Sequence, residues 1–148
     1  MGLGKTVQTI ALMLANSSPD KRQKTTLIIA PLAVIRQWES ECQSKASKGL
    51  LSVYVYHGPK RISDPARLRL FDVVVTTYNT AAAEFPRYIN GKSSEAAISE
   101  ALADDASVGA LFRTLWYRVV LDEAQNIKNI STRSAIACRN LKAKYRWC

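Results

Sequence analysis

Long apolar runs are missing from this chain. Nothing in its 148 residues approaches the roughly 18 consecutive apolar positions that crossing a bilayer takes, and "TIALMLA" is both too short and helically spaced. No basic-then-apolar secretion pattern ending in a small-residue cleavage site is visible. Histidine occurs once, at His57, and the cysteines Cys42, Cys138 and Cys148 show no paired ligand spacing, which argues against a zinc site. An odd, scattered set of thiols suits reduced core cysteines in the cytosol or nucleus. Proline and glycine are scarce, 5 and 6, against 47% hydrophobic residues, so the composition is that of a globular domain with a real core. Acidic residues are outnumbered, 12 to 21, for a formal charge of +9. None follows Glu123, whereas Lys128, Arg133, Arg139, Lys142, Lys144 and Arg146 do. Such a surface attracts phosphate polyanions. Charge alone does not separate that role from a domain that is merely basic.

What is present alternates. Residues 5–16 carry Val7, Ile10, Ala11 and Leu14 at helical spacing. "TTLIIAP" follows a polar turn as a β-branched strand stopped by Pro31. Residues 33–47 predict a helix with Val34, Trp38 and Cys42 on one face. "LLSVYVYHG", "DVVVTTY" and "YRVVLDEA" read as three further strands. A last helix is expected behind a Ser131 or Thr132 cap, with Ala135, Cys138 and Leu141 inward. Residues 84–114 are rich in Ser, Ala and acids and predict an exposed insertion, helical over 94–103. The sum is an α/β chain with a mostly parallel sheet between two helical layers. Ligands on such sheets bind at the carboxyl ends of the strands.

Two segments carry chemistry. Gly2, Leu3, Gly4, Lys5 and Thr6 match the later half of a P-loop. There, glycines let backbone N–H groups approach phosphates and a helix N-terminus faces the anion. The lysine neutralises phosphate charge and the threonine hydroxyl ligates Mg²⁺. Five residues alone are weak evidence. More than a hundred residues later, "RVVLDEAQ" places Asp122 and Glu123 at a strand end, where one carboxylate can hold Mg²⁺ and the other activate water. A strand end with two solvated acids is common. Both segments together, in this order and spacing, indicate nucleotide-binding ancestry.

These motifs, with "LIIAPLAVIRQWESE", "VYVYHG", "DVVVTTY", "WYRVVLDEAQNIKN" and "RNLKAKYRWC", resemble the first RecA-like lobe of the Swi/Snf-related ATPases of the second helicase superfamily. Gln125 and "RWC" resemble the branch that includes RING-bearing DNA-repair and helicase-like transcription factors. The resemblance implies ATP and Mg²⁺ as ligands. Gly2, Leu3, Gly4, Lys5 and Thr6 would hold the phosphates, Thr6 and Asp122 the metal. Lys5, Asp122, Glu123 and Gln125 would be the catalytic set. It further implies double-stranded DNA or chromatin as partner, with Pro31, Gln37, Trp38, Thr76 and Thr77 on the DNA side, and a nuclear location. From its helical spacing with Val34 and Cys42, Trp38 suits the core better than a DNA contact, and His57 before Gly58 suits a turn better than a catalytic role.

The family pattern also continues beyond both ends of this chain, with a strand ahead of the P-loop and a Thr-Gly-Thr-Pro-like motif and a second lobe bearing arginine fingers afterwards. A partial P-loop NTPase lobe, incomplete at both ends, is therefore expected. It would be marginally stable, bind ATP weakly and turn over negligibly by itself. The competing readings are a non-catalytic or basic DNA-binding piece and an RNA-directed lobe of the same superfamily.

Overall fold

A computed structural model describes residues 2–45, 51–104 and 106–148. Its centre is β1 (Thr26–Ala30), whose five residues are all buried because helices cover both faces of the sheet. Around it lie β2 (Val53–Val55), β3 (Val73–Thr77), β4 (Trp116–Leu121) and β5 (Ala143–Trp147), in the order β2-β3-β1-β4-β5. Every pairing is parallel. In register, Ile28 of β1 lies beside Val75 of β3 and Val120 of β4. Alternation along the strands then sends Leu27, Ile29, Val74 and Val119 to one face and Ile28, Ala30, Val75 and Val120 to the other. The expected three-layer α/β sandwich is observed.

Helices α1 (Gly2–Ala15) and α2 (Ile35–Lys45) pack on the second of these faces through Ile10, Met13, Ile35, Trp38 and Cys42. The first face takes the short α3 (Pro65–Leu68), α4 (Tyr78–Glu84), α5 (Glu95–Ala103), α6 (Ala110–Arg113) and α7 (Arg133–Arg139). Side-chain oxygens cap several of them. Thr77, Ser94 and Thr132 accept from the backbone N–H of Thr80, Ala97 and Ala135, removing unpaired donors at the first turns of α4, α5 and α7.

Several expectations are corrected. The stretch 84–114 is exposed only in its middle, where the expected helix lies: at its two ends Phe85, Ile89, Leu111 and Phe112 are at most 2% exposed and belong to the main core. Burying side chains of that size contributes roughly 1.5–3 kcal/mol each, which makes the segment integral to the lobe. Helix α1 starts at Gly2 rather than Lys5, so Gly2, Leu3 and Gly4 form a helical first turn and neither glycine takes a positive φ. Its buried stripe is Thr6, Ile10 and Met13, whereas Val7 and Leu14 are exposed. The residues expected to open and close two elements, Leu50 and 46–47, lie outside the described residues, as does Met1. β5 was not expected. Its polar sequence AKYRW suits an edge position with Lys144, Tyr145 and Arg146 exposed.

Of the three expected core thiols, Cys42 and Cys138 are buried and Cys148 is exposed. Burial pushes both inner thiols up to about 12. Reaction with a disulfide reagent is therefore expected to titrate one thiol rapidly in the native protein and all three in denaturant. Because the folded pKa values lie above the ordinary 9.0, the unfolded chain loses these protons first. Stability should fall between pH 9 and about 12, which denaturant titrations at stepped pH will show.

Candidate nucleotide site

The strand ends supply the site. β4 runs out of its apolar sequence at Leu121, and the two carboxylates follow where the chain leaves the sheet. Asp122 stays attached to the sheet, its N–H donating to the Ile29 carbonyl of β1 at 2.8 Å. Glu123 then adopts φ 54° and ψ 49°, the single positive-φ non-glycine among the described residues. A left-handed side-chain-bearing residue costs of order 1–3 kcal/mol and recurs at functional turns. This turn swings the chain into a 3₁₀ turn, Ala124–Ile127, and brings Gln125 back so that its amide donates to Glu123 Oε2.

Lys5, Gln8 and Thr9 on α1 face this turn across a cleft of about 450 Å³, with Asp122, Glu123 and Gln125 on its other wall. Trp38, Trp147 and Cys148 also line it. Lysine and two carboxylates, far apart in sequence, thus share one cavity at the carboxyl end of the sheet. The N-terminus of α1 also lies beside this cleft, and first-turn N–H groups of a helix favour anions.

Asp122 is held more closely than the sequence alone indicated. Its Oδ2 accepts from the Trp38 indole Nε1 at 2.8 Å, and its carbonyl accepts from the Tyr78 hydroxyl at 2.6 Å. Burial pushes the Tyr78 phenol well above its ordinary range, so it stays protonated and keeps donating. Helical spacing indicated that Trp38 faces inward but not which polar atom it meets. A tryptophan at an inward position always leaves its N–H in need of a partner, and that was the available signal.

The remaining expected site residues divide. Thr6 is 8% exposed and sits in the buried stripe of α1 rather than in the cleft wall. Pro31 is half-buried and precedes a 3₁₀ turn, Leu32–Val34, and Gln37 is exposed on α2. Thr76 and Thr77, placed on the DNA side by the resemblance, are buried, and Trp38 is buried as its helical spacing favoured. Thr76 donates to the Tyr56 carbonyl, and Thr77 is committed to capping α4. Their hydroxyls are used internally because they stand at the end of a strand covered on both sides. His57 lies just ahead of the turn that begins at Gly58, φ 88°, with its Nδ1 3.3 Å from Thr80 Oγ1.

The donor set fits a magnesium nucleotide in part. Two neighbouring carboxylates make no cage by themselves, and among the described residues no group of three or more His, Cys, Asp or Glu could hold a metal. Mg²⁺ is characteristically bound through one or two carboxylates together with substrate phosphates, and the cleft offers a carboxylate pair facing a lysine. No helix among the described residues is long and apolar enough to cross a membrane.

A family model described as the SNF2-related domain matches residues 1–148. An ATP-dependent helicase of Schizosaccharomyces pombe is 40% identical over 155 residues, covering 100% of this chain and 14% of that protein. The ATP-dependent helicase ULS1 of Saccharomyces cerevisiae is 36% identical over 99% of this chain and 10% of its own length. The DNA repair protein RAD5A of Arabidopsis thaliana is 34% identical over 100% of this chain and 17% of its own length. The chain thus spans well under a fifth of these relatives. Among solved structures, the Sulfolobus solfataricus SWI2/SNF2 ATPase core in complex with dsDNA superposes with a TM-score of 0.65 at 30% identity, over 99% of this chain and 25% of that one.

Proposed function

The chain belongs to the SNF2-related domain family, as its first RecA-like lobe, and on that premise we propose that the cleft between Lys5 and Asp122–Glu123 binds Mg²⁺-ATP and hydrolyses it within a larger DNA-dependent translocase. The observation that carries this reading is the convergence of Lys5, Asp122, Glu123 and Gln125 on one cavity. The Lys5 ammonium pairs phosphate oxygens beside the N-terminal end of α1. Asp122, together with the nucleotide's phosphates, would hold Mg²⁺, which neutralises phosphate charge when bound. Glu123 orients water and takes its proton, while the Gln125 amide occupies one carboxylate oxygen and leaves the other for the water.

Duplex DNA or chromatin is the proposed substrate of the full-length protein, and the nucleus its place of action. The dsDNA-bound structural neighbour and the DNA-repair relatives support this. Exposed Lys128, Arg139, Lys142, Lys144 and Arg146 add attraction for a polyanion and favour a second reading, a basic nucleic-acid-binding piece without turnover. Phosphoryl transfer between two lobes needs charge stabilisation from the second, so turnover belongs to the whole protein and not to this lobe alone.

Nucleotide binding tests the reading. Lys5→Ala in the full-length protein is expected to weaken Mg²⁺-nucleotide affinity roughly a hundredfold, the loss of charge-assisted contacts to phosphate. Titration of a fluorescent ADP derivative measures it. An unchanged affinity would sink the assignment and leave the basic-piece reading standing.

A further inference from the structure

We infer that Trp38 and Tyr78 are positioning residues for the metal-binding carboxylate, fixing Asp122 so that a single oxygen faces the cation. The inference rests on the Mg²⁺-nucleotide reading of the cleft and deepens it.

Asp122 stands where an ordered strand ends and a strained turn begins. Three separate elements hold it there: β1 takes its N–H, α4 gives its carbonyl the Tyr78 hydroxyl, and α2 gives Oδ2 the Trp38 indole N–H. Trp38 is 4% exposed and Tyr78 7%, so solvent has little access to replace either donor. With its peptide unit anchored on both sides and Oδ2 occupied, the carboxylate cannot turn about its own axis to present both oxygens. Oδ1 is left as the oxygen available to a cation or to its water shell. Mg²⁺ demands near-octahedral geometry and keeps several waters, so one fixed oxygen suits it better than a swinging pair. Such outer partners orient metal ligands and commonly alter metal affinity by 10–100-fold when removed.

The ordinary alternative is that two buried aromatic donors merely satisfy themselves on the nearest acceptors. The alternatives differ in what they change. A structural role affects stability and nucleotide affinity alike, with or without metal. A positioning role acts only on the metal-dependent part.

The test uses the full-length protein with Trp38→Phe and Tyr78→Phe, each of which removes a donor and keeps an aromatic ring. Fluorescent ADP is titrated in EDTA and then at increasing MgCl₂. Tyr78→Phe, which lies outside the cleft lining, is expected to raise the Mg²⁺ concentration for half-maximal tightening about threefold with affinity in EDTA unchanged, and Trp38→Phe to raise it about tenfold, beyond any change its place in the cleft wall causes in EDTA. On an Asp122→Asn background Trp38→Phe should add nothing. An unaltered Mg²⁺ requirement in the folded variants overturns the inference, as does equal weakening with and without metal. Tyr78→Phe alters one hydroxyl and decides the matter should Trp38→Phe fold poorly. If the unmutated protein shows no Mg²⁺ response, the reading of the cleft itself fails, and the inference with it.

Discussion

Glu123→Gln in the full-length protein is expected to reduce ATP hydrolysis by about 10²–10⁴-fold while nucleotide affinity stays within a few-fold of normal. The glutamine keeps length and shape at the cleft wall but cannot accept a proton. Gln125 already donates to Glu123 Oε2, and an amide at 123 can still accept that bond through its oxygen. In the proposed site, binding rests on Lys5, the N-terminal end of α1 and Asp122, none of which the change touches. Single-turnover hydrolysis beside equilibrium titration of a nucleotide separates the two effects. A variant that binds nucleotide and still hydrolyses at the normal rate would remove Glu123 from the chemistry.

The backbone at the same residue gives an independent control. Glu123 occupies the left-handed region at φ 54°, which Asn tolerates far better than Glu. Glu123→Asn should therefore match the glutamine variant in lost hydrolysis yet gain of order 1 kcal/mol in stability, since the strain is relieved. Glu123→Gln retains the strain and should melt like the unmutated protein. Stability held below its optimum at the residue proposed to activate water is the expected signature of a functional turn.

Which parts of this arrangement were legible in the sequence follows from where each residue sits. β1, β3 and β4 are buried on both faces, so apart from Arg118 their sequences are apolar or β-branched runs and declare themselves. β5 has one neighbour and a mostly exposed sequence carrying Lys144 and Arg146, so neither an apolar run nor an alternation marks it. Helix α4 was hidden because Thr77 is both the last residue of β3 and the cap of the helix, which leaves no loop to announce the change. Asp122 and Glu123 were visible because a strand of apolar residues ends abruptly in acids. Their partners were not, since Trp38 lies 84 residues from Asp122 and Tyr78 lies 44 away. Only the tertiary path brings those donors to the carboxylate. The same limit applies to residues 84–114, whose large apolar residues are few but are drawn together around one charged side chain that composition marked as solvated.

That side chain is Glu84, and its removal is expected to cost the fold heavily. It is 8% exposed at the end of α4. Oε2 accepts from the Tyr56 hydroxyl and from Arg61 Nε at 2.9 Å, and Oε1 accepts from the Leu111 N–H at 3.1 Å. Its own carbonyl takes the Gly109 N–H. One carboxylate therefore joins the residue after β2, the turn at 57–62, α4 and the start of α6. Glu84→Ala leaves a buried hydroxyl and a buried N–H without acceptors and Arg61 without its counter-ion. Breaking a buried pair in this way costs roughly 3–5 kcal/mol. Arg61 is 30% exposed and can recover some hydration, so the lower end, about 3 kcal/mol, is the expected value. Gly109→Ala approaches the same network from the opposite side, because a Cβ there would lie 2.2 Å from Glu84 Oε1 and must displace the carboxylate. It should reproduce most of the loss with every charge retained. Urea denaturation of both variants measures the effect, and a cost under about 1 kcal/mol in each would show that the network is dispensable. Neither residue lines the cleft, so whatever protein remains folded should bind Mg²⁺-nucleotide normally, which distinguishes this loss from damage to the site.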